Sequence, residues 1–249
     1  MVYFFLHWFY NKIIKTYFVY GQKNSKNKSI EKYSVMVKDN KNSYCHLYMP
    51  ENHMHSLYYS KNPLVRWVHQ KRLSYIVSHL PKKNGLKILD AGCGEGHLIK
   101  KMYLNNKFND YYGVDITEIA IQKAKKRCPY ANIKKMDISK LSYNENFFDV
   151  IVCSDVIEHI IDYQSAINKL IRSLKKGGYL IITFPNETLW TLGRLILIRR
   201  PIKIPDHINS FTPYQIKKIV KMKLDEQVNL PFKLPFFLSL GCLMKFIKE

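Results

Sequence analysis

The sequence predicts an α/β fold, with a doubly wound and mostly parallel sheet and an N-terminal helical extension. From Leu86 onward, short apolar segments typical of buried strands alternate with amphipathic segments typical of helices. Such alternation implies βαβ units, in which successive strands lie parallel. A glycine-rich turn follows the first strand and aspartates end the next two, as in α/β folds that bind a ligand at the carboxyl ends of their strands.

The individual elements follow from periodicity and end signals. Pro63 suits the first turn of the first helix, and Thr212 with Pro213 suits the start of the last one. Two glycines at 177–178 are typical of a helix C-terminus. A last pair of strands is expected within 228–249, although prolines and a glycine disturb the pattern. The pattern predicts strands over 86–92, 111–116, 131–138, 147–154 and 179–186, and helices over 62–80, 96–104, 118–127, 165–178 and 211–221.

Three regions differ in composition along the chain. Residues 1–32 form an aromatic, amphipathic segment and a polar linker, residues 33–85 a helical cap, and residues 86–249 the ligand-binding domain, with an insertion at 187–210. Polar and basic residues interrupt the N-terminal segment too often for a membrane span, and it lacks the features of a secretory signal peptide. It suits either a membrane interface or a cover over the domain.

The chain is strongly basic, with a formal net charge of +21 at pH 7. The middle region 86–185 has 15 Lys/Arg against 11 Asp/Glu, whereas the two flanks together have 25 against 8. Basic flanks favour a polyanionic partner, either a nucleic acid or an anionic membrane surface, but a lysine-rich composition typical of A/T-rich genomes explains the charge equally well. The five cysteines form no CxxC pair, which predicts reduced thiols in a cytoplasmic protein and neither a disulfide framework nor a zinc site.

The segment KILDAGCGEGHL carries the clearest chemical signal. Here a strand runs into a glycine-rich turn that opens a helix, and Gly92 and Gly94 allow the backbone to approach a ligand. A dinucleotide-binding turn would have a glycine in place of His97, and the acidic Asp90 lies before the turn. Both features favour S-adenosylmethionine over a nicotinamide, which makes Asp90, Gly92 and Gly94 candidate cofactor-binding residues.

Two further aspartates end the next strands. Asp115 lies 23 residues after Gly92, where a carboxylate could accept hydrogen bonds from both ribose hydroxyls of the cofactor. Asp137 ends the third strand, within reach of an adenine amino group. We therefore expect Asp115, Ile116, Asp137 and Ile138 to line the cofactor site, the alternative for each aspartate being a helix cap.

The segments LDAGCGEG, VDI, KMDI and FFDVIVCSDVIEHI, in this order and spacing, resemble the class I S-adenosylmethionine-dependent methyltransferases, which have a Rossmann-like fold. RLSYI, VCSDVIEHI and the insertion after the fifth strand are more narrowly similar to the ubiquinone-biosynthesis O-methyltransferases. The resemblance implies that Arg72, Gly92, Asp115 and Ser154 contact the cofactor, with Arg72 pairing its carboxylate. The residue type of Ser154 departs from the methionine common at that position.

A second candidate cluster follows the fourth strand. Asp155, Glu158 and His159 are spaced i, i+3 and i+4, so that a short helix would gather them on one face. These groups could hold a divalent ion, and the resemblance implies magnesium (Mg2+) there; otherwise Glu158 and His159 shape the pocket. His159 and, after the insertion, His207 are also candidate catalytic bases, because histidine titrates near neutral pH.

The insertion adds an apolar, aromatic and cationic segment, 189–204, that would lie over the substrate side of the sheet. It suits either an anionic lipid surface or a lid over an apolar substrate, and both imply a greasy acceptor. The predicted function is methyl transfer to a small apolar or lipid-like acceptor, with O-methylation favoured, by a cytoplasmic protein at or near a membrane. RNA methylation through the basic flanks is the alternative, although SDVIEH stands where enzymes that methylate bases usually have an Asn/Asp-Pro-Pro-aromatic motif.

Overall fold

The computed structural model describes residues 53–196 and 207–249. Predictions for the N-terminal segment and for residues 197–206 of the insertion lie outside the described residues, and the three predicted regions stay predictions. The helices are α1 (His53–Tyr58), α2 (Pro63–Ser78), α3 (His97–Asn105), α4 (Glu118–Arg127), α5 (Tyr163–Ser173), α6 (Glu187–Ile196) and α7 (Pro213–Val220). The strands are β1 (Lys87–Ala91), β2 (Asp110–Asp115), β3 (Asn132–Lys135), β4 (Phe148–Ser154), β5 (Leu174–Pro185), β6 (Lys223–Leu230) and β7 (Gly241–Ile247). Short 3-10 turns cover Ile138–Lys140, Ile157–His159 and Phe236–Leu238.

The strands form one sheet in the order β3-β2-β1-β4-β5-β7-β6. Strands β1 to β5 are parallel to one another, whereas β7 lies antiparallel between β5 and β6. The chain order reverses at β1, which has β2 on one side and β4 on the other, so a crevice opens at the carboxyl ends of β1 and β4. The predicted doubly wound, mostly parallel sheet is confirmed.

Both faces of the sheet are buried because helices pack on each of them. Leu89 of β1 belongs to the cluster that includes α5 and α7, whereas Ile88 belongs to the cluster that includes α2, α3 and α4. Successive side chains of a strand point to opposite faces, so a strand covered on both faces is apolar throughout. Residues 150–153 of β4 are fully buried for this reason.

Side-chain caps fix the start of two helices where the sequence predicted them. Asn62 caps α2, its Oδ1 accepting a hydrogen bond from Leu64 N–H at 3.0 Å, and Pro63 occupies the first turn. At α7 the predicted cap Thr212 forms a capping box with Gln215. These local hydrogen bonds satisfy backbone donors that the first turn of a helix leaves unpaired.

The helix predicted over 165–178 ends earlier, at Ser173, and β5 begins at Leu174. Leu174 pairs with Phe148 of β4, so strand pairing decides where the helix stops, and the expectation of a glycine C-terminus is wrong. A Cβ on Gly178 would lie 2.9 Å from a carbonyl oxygen of β4. The glycine therefore permits the close approach of two strands.

Candidate active site

The glycine-rich turn bends sharply between β1 and α3. Gly92 and Gly94 have φ values of 85° and 50°, in the left-handed region that glycine tolerates best. A Cβ on Gly92 would come within 2.3 Å of the side chain of Val156, which follows β4. The N–H groups of Gly92 and Cys93 both donate to the carbonyl of Val114, which anchors the turn on β2. The turn thus lies in the crevice where the strand order reverses.

Asp115 ends β2 and lies against this turn. Its Oδ2 accepts a hydrogen bond from Gly94 N–H at 2.9 Å, and its Oδ1 accepts one from Thr117 N–H at 2.8 Å. Burial raises the pKa of Asp115, and these backbone hydrogen bonds oppose that rise. Each carboxylate oxygen has a second lone pair, so both can still accept a hydrogen bond from a ribose hydroxyl.

Asp90 lies within β1, just before the turn. It is 2% exposed, and its Oδ2 has no hydrogen-bond partner among the described residues. Burial and, secondarily, the negative charge of Asp115 raise the pKa of Asp90 to about 8. A buried carboxyl with an unused oxygen is stabilised by a ligand that brings a donor or a positive charge. S-adenosylmethionine has both, in its ammonium and sulfonium groups.

Asp137 follows β3 and caps the 3-10 turn there. Its Oδ1 accepts hydrogen bonds from the N–H and the Oγ–H of Ser139, at 2.9 Å and 2.8 Å. The alternative of a helix cap is therefore present in the structure, and adenine recognition by Asp137 stays a prediction. Ile116 is 42% exposed and Ile138 is buried, so Ile116 is the better placed of the two to cover a ligand.

Arg72 and Asp155 meet at the end of β4. The Arg72 guanidinium forms an ion pair with Asp155 Oδ2, and its Nη2 donates to the Tyr58 hydroxyl at 3.3 Å. Thr183 Oγ1 donates to Asp155 Oδ1 at 2.7 Å and lies 2.9 Å from Ser154 Oγ. Arg72 and Ser154 therefore belong to one network, and their contact with the cofactor stays a prediction. The carboxylate that Arg72 binds here, however, is the protein's own.

A small cavity of about 30 Å3 opens beside this ion pair. Arg72, Asp155 and Thr183 form its polar end. The rest of the wall comes from α2, the end of β5, α6 and the connection between β6 and β7, and it is apolar apart from His69. These lining residues are Val68, His69, Phe184, Pro185, Trp190, Leu230, Pro231, Leu240 and Gly241. The insertion thus contributes an aromatic ring to the wall.

A second polar cluster lies after β4 and at the two ends of the insertion. Glu158, His159 and His207 each place one potential ligand atom within 4.8 Å of the others. His207 Nδ1 lies 2.5 Å from Oε1 of Glu187, the first residue of α6, and the His159 and His207 rings are 4.7 Å apart. Asp155, the third predicted metal ligand, is outside this group because the ion pair described above holds its carboxylate. The structure therefore assembles a different set from the predicted one.

Sequence reasoning missed Glu187 and Tyr58. Glu187 is the first residue of α6, and its role emerges only from its pairing with His207, 20 residues later. The available signal was that Glu187 and His207 both lie within the predicted insertion 187–210. Tyr58 packs on His97 with ring centroids 4.9 Å apart and accepts from Arg72, and no local pattern indicated either contact.

Comparison with known proteins agrees with this architecture. A family model described as a methyltransferase domain matches residues 82–221, more than half of the chain. The chain belongs to the methyltransferase domain family. A TehB-like S-adenosylmethionine-dependent methyltransferase from Corynebacterium glutamicum shares the fold, with a TM-score of 0.57 at 22% identity, over 80% of this chain and 96% of that structure.

Two relatives of this methyltransferase have a named activity. The chain is 31% identical over 156 residues to the mitochondrial ubiquinone biosynthesis O-methyltransferase of Bos taurus, a match that covers 57% of this chain and 41% of that protein. It is 27% identical over 177 residues to the ubiquinone biosynthesis O-methyltransferase of Rickettsia akari, covering 68% of each. Like the bovine protein, several of the curated relatives are matched over less than half of their length.

These findings confirm the class I, S-adenosylmethionine-dependent methyltransferase that the sequence predicted. They also confirm the narrower similarity to the ubiquinone-biosynthesis O-methyltransferases. The roles of individual residues toward the cofactor stay predictions, which the geometry now makes specific.

Proposed function

We propose that this methyltransferase transfers the methyl group of S-adenosylmethionine to a small apolar or lipid-like acceptor, with O-methylation favoured. The cavity beside Arg72 and Asp155 carries the proposal, because nearly all of its remaining wall is apolar. Small-molecule sites are typically lined by apolar side chains with a few polar groups. The cavity also adjoins the cofactor crevice, since Asp155 precedes Val156, whose side chain lies over Gly92.

Methyl transfer depends mainly on how the enzyme positions the cofactor and the acceptor. When bound, S-adenosylmethionine supplies an activated methyl group that an acceptor oxygen attacks in line with the carbon–sulfur bond. In this proposal Asp115 holds the ribose, Asp90 faces the positive end of the cofactor, and the apolar cavity excludes water from the acceptor. His159 and His207 stay the candidate bases for the proton of a hydroxyl acceptor.

A membrane surface as the source of the acceptor is supported by the side chains around the cavity. Exposed apolar side chains come from α2, with Trp67 at 39%, from the β6–β7 connection, with Phe232 at 58%, and from α6, with Leu195 at 55%. The Trp67 and Phe232 rings are in contact, 5.5 Å apart, and each precedes or follows a lining residue in the sequence. Residues 53–89 contain seven Lys/Arg and no Asp or Glu. An apolar rim with positive charge suits peripheral binding to anionic lipid.

Vesicle binding tests this part of the proposal. The double variant Trp67→Ser and Phe232→Ser should weaken co-sedimentation with phosphatidylserine vesicles about tenfold or more, because it removes apolar area that lipid would bury. Tyr214→Ser, which removes a ring 76% exposed on α7, is the matched control and should bind like wild type. Equal binding by all three proteins would refute the membrane surface. None of the described helices has the length and hydrophobicity to span a bilayer.

The acceptor is tested by offering two extracts to the full chain with methyl-labelled S-adenosylmethionine. The apolar cavity predicts that label enters the lipid extract and partitions into organic solvent. RNA is the second candidate, favoured by the net charge of +21. Label incorporated into RNA and none into lipid would replace the first proposal by the second.

A further inference from the structure

The magnesium site implied by the resemblance does not fit this structure. It needs Asp155 beside Glu158 and His159, but both oxygens of Asp155 are engaged by the neighbouring arginine and threonine. The three groups whose ligand atoms do come together are Glu158, His159 and His207. Among the described residues this is the one group of three that could share an ion.

The ligand set contains His207 where Asp155 was predicted, and this difference changes the metal that the site would prefer. Magnesium is a hard ion that prefers oxygen ligands and keeps several waters. Imidazole instead favours Zn2+ and neighbouring transition metals, and two imidazoles with one carboxylate form a frequent catalytic zinc site. The donor set therefore favours zinc-like ions over magnesium.

The distances between the three ligand atoms can be compared with those around a bound zinc ion. Ligand atoms about 2.0–2.1 Å from a tetrahedral zinc are roughly 3.3 Å apart. The ligand atoms here lie within 4.8 Å of one another, so the three side chains would move together by up to about 1.5 Å to hold the ion. Glu158 is 1% exposed, which would shield a bound ion from bulk water.

Glu187 supplies the second independent observation. Its Oε1 lies 2.5 Å from His207 Nδ1, so Nε2 is the ring nitrogen left for a metal. Histidine ligands of metals commonly donate their other ring N–H to a carboxylate, which fixes the tautomer and the orientation of the ring. Glu187 is only 9% exposed, so this pairing is sheltered from water.

We propose that Glu158, His159 and His207 bind one divalent transition-metal ion of the zinc type, with Glu187 as the residue that orients His207. The ion joins the 3-10 turn after β4 to His207 and, through Glu187, to the start of α6. Three protein ligands leave a coordination position for a water or a hydroxyl. With the ion bound, His159 and His207 act as ligands and no longer as bases.

Calorimetry on the metal-free full chain tests this inference without reference to any methyl acceptor. Zn2+ should bind with one-to-one stoichiometry and at least a hundredfold more tightly than Mg2+. Co2+, used as a spectroscopic probe, should give the intense visible absorption of a tetrahedral site. His207→Ala should abolish that absorption, and Glu187→Gln should lower Zn2+ affinity about 10–100-fold, the usual effect of removing such a partner.

The chain offers a matched control in His79, which lies 3.1 Å from Glu226 in a second histidine–glutamate pair. His79→Ala and Glu226→Gln should leave Zn2+ affinity unchanged, and His207→Gln serves as a second variant if His207→Ala lowers the melting temperature. Asp155→Asn should also retain Zn2+ binding. Loss of binding in Asp155→Asn but not in either His207 variant would overturn the inference, as would Mg2+ binding as tightly as Zn2+.

Discussion

Replacing Asp90 by Asn should remove a large part of the pH dependence of folding. The carboxyl of Asp90 has its pKa raised from 3.8 to about 8, mainly by burial and further by Asp115. Between those two values the native protein holds a proton that the unfolded chain releases. Unfolding then releases a proton, so the free energy of unfolding falls as pH rises through this range.

The expected size follows from the width of the interval. One proton contributes about 1.4 kcal/mol per pH unit, so Asp90 should lower the stability of wild type by about 4 kcal/mol between pH 5 and pH 8. Globular proteins have total stabilities of roughly 5–15 kcal/mol, which makes such a change measurable. The side-chain amide of the Asp90→Asn variant does not titrate. Its NH2 group, unpaired in place of Oδ2, lowers the stability by about 1–3 kcal/mol at every pH.

Urea denaturation of wild type and Asp90→Asn, repeated at each pH from 5 to 8, separates these two effects. The difference in stability should change steadily in favour of the variant by about 4 kcal/mol, whatever the constant offset. Asp110→Asn, which removes a carboxylate from an exposed position at the start of β2, corrects for the general effect of net charge. Parallel pH profiles for wild type and Asp90→Asn would contradict the reasoning.

Two further predictions concern the binding of the cofactor and the stability that the cap of α7 contributes. Asp115→Ala should lower the affinity for S-adenosylmethionine tenfold or more in calorimetry, because a hydrogen bond to a charged group contributes about 1.5–3 kcal/mol; unchanged affinity would remove Asp115 from the site. Thr212→Ala deletes one half of the capping box at α7 and should cost about 1 kcal/mol of stability in urea denaturation, whereas Thr212→Ser should retain most of it.

Local chemistry accounts for what could be predicted about the fold. The helix over Glu118–Arg127 has the predicted limits, and Thr212 caps its helix, because apolar periodicity and capping hydrogen bonds act within a few residues. The glycine-rich turn was also predictable from the sequence, because Gly92 needs a left-handed backbone and lies under Val156. Where neighbouring strands compete with a local signal, as at Leu174, the local signal fails.

The candidate site likewise has some features that the sequence predicts and others that only the structure reveals. The sequence by itself determined the fold class, the glycine-rich turn and the acid that follows one strand later, because a βαβ unit places these segments side by side. Only the tertiary structure decided that Asp155 pairs with Arg72 and that His207 reaches Glu187. Those partners lie far apart in the chain, and their meeting depends on how α2 and α6 pack against the sheet, which no local pattern encodes.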